Sequence, residues 1–418
     1  MNLKKLLGYT VTLGIISSAS AQDSSWSVCP AALDIKTYPD ADKWALIAGR
    51  GKGDWIFGQS SFIDYASIQT NMNDLKSFSE LLRSRGTELI MVFIPPKGVT
   101  SFEQVGNAIP AGIDIAKLKS NYNQYVEQVN SIGIFSPNIL KAKENDSTGI
   151  AYDMMRDHHW SSHAGQVTAN IIAEHLNKLP MLENIPTIDF KSGTINVSTA
   201  GSFGAIVTRF CNQSIPKETY VAPVATTVKN DLISDDPRIV VVGTSNTASR
   251  NGEESFVTAL KLKTKRDVTN ASVLGGGSIT AIETYITSRE FIDNPPSVLI
   301  WETNSPIHYQ SAIASLLPAV KGVCEKPLYT AQSILPSSPI ENLKTDDGDY
   351  LVITPSDTTL KVIPLTLSKA GSNRSVNVVY QPKTPVGRPF FLQIGKDITS
   401  IKVNLQDSAG RFSIKLCR

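Results

Sequence analysis

Three short stretches of the chain are almost wholly apolar: "ELIMVFIPP" at 88–96, "RIVVVG" at 238–243 and "SVLIW" at 297–301. A strand with one face in water alternates apolar and polar residues, so runs like these read as strands covered on both faces. Helical patterns lie between them. "NDLKSFSELLRSRG" (73–86) puts Leu75, Phe78, Leu81 and Leu82 on one face and stops at Gly86. Ser161 or Ser162 is placed to cap a helix whose Val167, Ile171, Ile172 and Leu176 face inward. Phe256, Val257 and Leu260 mark another helix, and "SITAIETYITS" (278–288) a further one. Strands alternating with helices predict an α/β fold, a mainly parallel sheet with helices on both faces.

The texture changes near residue 330. "AQSILPSSPIENL" (331–343) has the composition of a linker. Beyond it, "YLVITP", "LKVIPLTL", "RSVNVVYQP", "RPFFLQI", "SIKVNL" and "RFSIKLC" are short β-rich runs at even spacing. They predict a small all-β sandwich, an architecture shared by many carbohydrate-binding modules and by many others. With 418 residues, two domains are expected, at 22–325 and 326–418.

Residues 1–21 read as a targeting segment. Lys4 and Lys5 precede an apolar run too short to span a membrane, and Ala19-Ser20-Ala21 is a small-residue cleavage site. Export to the periplasm with cleavage after Ala21 is the expectation. The four cysteines, Cys29, Cys211, Cys324 and Cys417, lack the close spacing of zinc sites. Of their three pairings, Cys29–Cys211 with Cys324–Cys417 staples each of two consecutive segments to itself. An oxidising compartment keeps such bridges.

Without Lys4 and Lys5 the acidic and basic residues balance. Residues 326–418 hold twelve Lys and Arg against seven Asp and Glu, so 22–325 is acidic by the same margin. A nucleic-acid binder is more usually basic throughout, which disfavours that class. A basic terminal module suits either an anionic polymer or a plain solvated surface.

Three of only five histidines fall within "MMRDHHWSSHAG" (154–165). Asp157 and His159, two apart, can meet from a short loop. In "IVVVGTSNTAS" (239–249) a strand ends at Gly243 and Ser245 follows in the turn, where open α/β sheets gather catalytic groups. A serine hydroxyl needs an imidazole to take its proton and a carboxylate to hold the imidazole, so Ser245, His159 and Asp157 make a complete acyl-transfer triad. Thr247 occupies the second glycine's place of a Gly-x-Ser-x-Gly elbow. Two other readings stand: Ser245 as a strand terminator or helix cap, and His159 with His163, four apart, as a metal pair. His158 is expected to point away from His159, and His163 and His175 to be surface residues of the following helix.

"GKGDWIFG" (51–58), "DHHW" (157–160), "VVGTSNTAS" (241–249) and "LIWETN" (299–304) together resemble, in order, blocks of the periplasmic alginate O-acetyltransferases of the AlgX/AlgJ group, within the SGNH-hydrolase-like superfamily. The layout of leader, early cysteine and cysteine-bounded β module is closer to AlgX. The resemblance implies that Ser245 is the nucleophile, His159 the general acid/base and Asp157 its orienter, with no cofactor and no metal. The acceptor it implies is an anionic exopolysaccharide such as alginate, held by a carbohydrate-binding module. The acetyl group would be relayed by a membrane-bound O-acyltransferase, within an exopolysaccharide secretion complex. Thr244 departs from the Gly-Asp-Ser of ordinary SGNH esterases. Asn246 and Asn304 are candidates for substrate binding or the oxyanion site, and Trp160 for packing under the catalytic loop. An acetyl esterase with the same triad, a non-catalytic polysaccharide-binding subunit and a metal-dependent hydrolase are the competing readings.

Overall fold

The computed structural model describes residues 26–66, 72–228, 239–249, 254–304, 316–336, 338–380, 385, 387–406 and 410–418. The leader proposed at 1–21 lies outside them. Among the described residues no helix is long and apolar enough to cross a membrane.

The apolar runs become the central sheet. A small antiparallel pair comes first, β1 (Ile47–Arg50) with β2 (Ile56–Gly58). β3 (Glu88–Phe93), β6 (Ile239–Val242), β7 (Thr269–Asn270) and β8 (Val298–Thr303) then form a parallel sheet in the order β3-β8-β6-β7. Side chains alternate between its two faces, and both are covered. Leu89, Met91, Phe93, Val240, Val242, Leu299 and Trp301 meet Leu75, Phe78 and Leu82 of α1 (Met72–Ser84), Tyr122 and Val126 of α2 (Ile115–Ser131), and Ala281, Ile282 and Ile286 of the later helix at Gly277–Ile286. Ile90, Val92, Ile239, Val241, Val298 and Ile300 turn the other way. They pack on Ile172 and Leu176 of α3 (Ser162–Leu176) and on Phe256, Val257 and Leu260 of a helix at Ser255–Thr264. An uninterrupted apolar run is what two covered faces demand.

Helix α3 begins as its sequence predicts. Ser161 is the N-cap, its hydroxyl accepting from the Ala164 amide at 3.1 Å. The inward face is shifted: Thr168, Ala169, Ile172, Ala173 and Leu176 are buried, while Val167 and Ile171 are only half-buried. Small residues there let α3 approach the Ser255 helix, where a Cβ at Gly165 would meet the Phe256 backbone at 3.4 Å. Between α3 and β6 an antiparallel hairpin, β4 (Phe190–Thr199) and β5 (Glu218–Thr227), encloses α4 (Ser202–Cys211). The helices at Ser255–Thr264 and Gly277–Ile286 are α5 and α6.

The C-terminal runs all form strands. β9 (Tyr329–Ile334), β10 (Tyr350–Pro355), β11 (Val362–Lys369), β12 (Ser372–Val379), β13 (Phe390–Gln393), β14 (Ser400–Val403) and β15 (Phe412–Cys417) make two antiparallel sheets, β13-β10-β15-β9 and β12-β11-β14. Leu351, Ile353, Leu365, Ile401 and Ile414 are among the residues that fill the space between them. The linker expected at 331–343 is corrected in part: its first residues belong to β9, which pairs with β15. Tyr350 and Val352, on the opposite face of β10 from Leu351 and Ile353, join the core beneath α6. The sandwich therefore leans on the α/β part through a packed face. Disulfides join Cys29 to Cys211 and Cys324 to Cys417.

Candidate active site

β6 delivers Ser245 to the carboxyl end of the sheet, and a buried carboxylate shapes the turn that holds it. Val242 is in register with Trp301, which brings Glu302 of β8 alongside Gly243. Glu302 is fully buried and accepts from the Thr244 amide at 2.7 Å, the Thr244 hydroxyl at 2.9 Å and the Thr247 hydroxyl at 3.1 Å. Burial pushes its carboxyl up to about 7, against the pull of those hydrogen bonds. Only glycine fits at 243, since a Cβ would lie 2.6 Å from Glu302 Oε2 and 2.3 Å from Thr247 Oγ1. Thr244, the departure from Gly-Asp-Ser, is thus the residue that ties the turn to Glu302. A carboxylate inside an otherwise apolar strand was the sequence signal for this anchor.

The histidine loop folds back on itself. Ser161 donates its amide to Tyr152 O at 2.8 Å, Met154 to His159 O at 3.1 Å, and Asp153 bridges Trp160. Below it sits Lys97, fully buried. Its ammonium donates to the carbonyls of Ile56 at 2.8 Å, Met155 at 3.1 Å and Asp157 at 2.8 Å, and faces the rings of Trp55, Phe57 and Phe203. Burial brings it down to about 8, although Asp153, Asp157 and Glu218 favour its charge. Glu218 of β5 accepts from the amides of Met155 and Arg156. At Gly201, φ +70° and a Cβ position 2.2 Å from Arg156 O both require glycine.

On this support, His159 Nδ1 lies 2.7 Å from Asp157 Oδ1 and His159 Nε2 lies 2.7 Å from Ser245 Oγ. Asp157 and His159 are buried. Burial alone would raise the Asp157 carboxyl, but the His159 charge and the hydrogen bonds from His158 and His159 hold it well below the usual carboxylate range. An ionised Asp157 accepts from Nδ1–H, which leaves the Nε2 lone pair facing the serine hydroxyl.

Trp160 runs beneath: its amide donates to Asn246 Oδ1 at 3.2 Å and its indole to Asn246 O at 2.9 Å. The Asn246 amide nitrogen also donates to Thr244 Oγ1 at 2.9 Å. Asn246 therefore braces the serine turn from behind, whereas Asn304 lines the open cleft. That cleft, about 630 Å³, is also bordered by Trp44, Lys97, Asp153, His158, Ser202, Ser245, Gly275 and Gly277.

His158 overturns its expectation. Instead of turning away it lies tilted against His159, ring centroids 3.7 Å apart, and its Nδ1 lies 2.7 Å from Ser202 Oγ. Helix α4 supplies Ser202, a contact no local pattern announces. His163 is half-buried and bonded to Asp146 at 2.5 Å, and His175 stacks on Phe135 at 3.7 Å, so neither is a plain surface residue. The metal pair of His159 and His163 does not form: α3 starts after His159, and His163 turns to Asp146. Among the described residues, the grouping close enough to ligate an ion is Asp157, His158 and His159, whose side chains already share hydrogen bonds.

Residues 49–305 match the family described as ALGX, the SGNH hydrolase-like domain of acetyltransferase AlgX. The chain belongs to this family. The alginate biosynthesis protein AlgX of Pseudomonas aeruginosa is 30% identical over 290 residues, 66% of this chain and 60% of that protein. The probable alginate O-acetylase AlgJ of Pseudomonas syringae pv. tomato is 27% identical over 289 residues, 65% and 71% of the two chains. The solved structure of Pseudomonas aeruginosa AlgX superposes with a TM-score of 0.77 at 24% identity, covering 93% of this chain and 98% of that one. That likeness extends the common AlgX fold through the β-sandwich. The match to the Pseudomonas aeruginosa sequence, by contrast, spans less than two thirds of that relative's length.

Proposed function

We propose that this chain is a periplasmic polysaccharide O-acetyltransferase that works by a double displacement on Ser245. The observation that carries the reading is the continuous chain Asp157–His159–Ser245, two contacts of 2.7 Å opening on the cleft. His159 Nε2 takes the Ser245 proton as Oγ attacks the donor's acetyl carbon, then returns it to the departing group. A sugar hydroxyl next gives its proton to His159 and attacks the acetyl-enzyme, releasing Ser245. The Ser245 amide, which donates to no acceptor among the described residues, and Asn304 are the oxyanion donors this reading assigns.

The names of the AlgX and AlgJ relatives support an alginate-like acceptor. The excess of basic residues beyond 325 supports residues 326–418 as the module that holds an anionic polymer near the cleft, raising its effective concentration over water's reach. The donor is then an acyl group relayed by a membrane-bound O-acyltransferase, and the export step removes residues 1–21.

The test uses purified chain, p-nitrophenyl acetate and an acidic oligosaccharide. Wild type should form an acetyl-enzyme and pass acetyl to sugar, with Ser245→Ala slowed by at least about a thousandfold. Acetyl delivered only to water would favour the esterase. Equal inertness of both proteins would leave polysaccharide binding as the account.

A further inference from the structure

One carboxylate serves two imidazoles. Asp157 Oδ1 meets His159 Nδ1 directly at 2.7 Å, and it also accepts from Ser202 Oγ at 2.7 Å. Ser202 Oγ in turn lies 2.7 Å from His158 Nδ1. An ionised carboxylate can only accept, so the single hydroxyl proton of Ser202 is committed to Asp157. Ser202 Oγ must then accept from His158 Nδ1–H. That relay places the lone pair of neutral His158 on Nε2.

The ring is held at this setting from both sides, by His159 at 3.7 Å and by the edge of Trp44 at 4.7 Å. His158 borders the cleft beside Ser245, and its side chain is only 18% exposed. Among the described residues Nε2 makes no hydrogen bond. An acceptor that the fold has oriented toward the cleft and left without a partner among the described residues is placed to take a donor from the ligand.

We infer that His158 Nε2 accepts a hydrogen bond from the sugar hydroxyl adjacent to the one that receives acetyl, so that the site recognises a vicinal diol. The inference rests on the acetyl-transfer reading and adds to it what distinguishes sugar from water. During transfer the reacting hydroxyl loses its proton to His159 Nε2 while its oxygen bonds to the acyl carbon. The acyl–Oγ bond then breaks, and the proton passes from His159 to Ser245. The neighbouring hydroxyl keeps its proton and only donates to His158. A diol meets both imidazoles at once, whereas a single water meets one, so positioning favours the sugar.

Two variants separate the halves of the ring. H158N keeps a donor where Nδ1 stands, toward Ser202, and deletes Nε2. H158Q places an amide oxygen near the Nε2 position. Each protein is charged with p-nitrophenyl acetate and offered a methyl pyranoside with adjacent hydroxyls or its monodeoxy counterpart. The ratio of sugar ester to acetate is read per acetyl-enzyme formed, so a smaller folded fraction does not alter it. Wild type should lose up to about tenfold in that ratio on the deoxy sugar, the scale of one hydrogen bond. H158N should show the lowered ratio on both sugars, and H158Q should recover part of the preference. If both variants discriminate as wild type does, the role of His158 is overturned while acetyl transfer stands. If wild type itself acquires no acetyl group at Ser245, the transfer reading falls and takes this inference with it.

Discussion

The two parts of the molecule bury strands in the same manner and charges in opposite ways. β8 of the α/β part and β10 of the sandwich both have covered faces, and both cores are aliphatic and aromatic. Yet the α/β part buries Lys97, Asp153, Arg156, Asp157, His159, Glu283 and Glu302, while among the described residues beyond 325 the only charged group so deep is Asp349. Asp349 is answered at once by the terminal Arg418 at 2.8 Å. Most of the α/β charges stand within two contacts of the serine turn or the histidine loop. A buried ionisable group lowers stability unless it is paired and hydrogen-bonded, so such a concentration marks where the fold trades stability for chemistry. The described residues of the sandwich show no such concentration.

The largest expected effect comes from Lys97→Met. It removes three hydrogen bonds to buried carbonyls, those of Ile56, Met155 and Asp157, together with the cation facing Asp157, which should cost about 3–5 kcal/mol in urea unfolding. Acetyl-enzyme formation should fall roughly a hundredfold as the loop loosens. Survival of both would mean that the buried charges are not what holds the site.

Removing a disulfide comes next. Replacing either pair by serine should cost on the order of 2–4 kcal/mol in thermal or denaturant melts. The sequence separations are 182 and 93, and doubling a loop adds only about 0.6 kcal/mol. Activity should tell the pairs apart. Loss of Cys29–Cys211 frees the end of α4, whose start carries Ser202 to Asp157, and should slow acetylation. Loss of Cys324–Cys417 should leave acetylation of Ser245 unchanged and weaken polymer use.

Glu302→Gln gives the smallest effect and the clearest sign. Burial raises the folded carboxyl from 4.5 to about 7, so the folded state holds more protons than the unfolded one between those pH values. Stability from this group is therefore greatest at low pH and is lost as pH rises through that window, by about 1–3 kcal/mol. The variant should flatten the fall seen between pH 5 and 7.5 in urea titrations. It should not abolish it, because Asp153, raised to about 6 by burial, acts in the same direction. An unchanged slope would show that Glu302 is not charged against its will in the folded chain.

Much of this was legible along the chain. Apolar runs and helical periodicity are local signals, and they located β3, β6, β8, α1 and α3 together with the six strands beyond 350. Ser245 at a strand end and Asp157 two residues before His159 were likewise readable, because a strand terminus and a short loop each place side chains by local geometry. The inward face of α3, the strand β9 inside an expected linker and the placement of His158 were not readable. Each depends on which other element lies opposite: α5 on α3, β15 on β9, α4 on His158. Lys97, Glu302, Glu218 and Ser202 escaped for the same cause. Nothing near them in sequence says that they converge, and hydrogen bonds across 45 to 62 residues form only when separate elements pack. The sequence alone determined the two kinds of strand, the order of the elements and the residue types able to do acyl chemistry. The tertiary structure decided which of them share a proton, because a hydrogen bond is set by distances that periodicity does not encode.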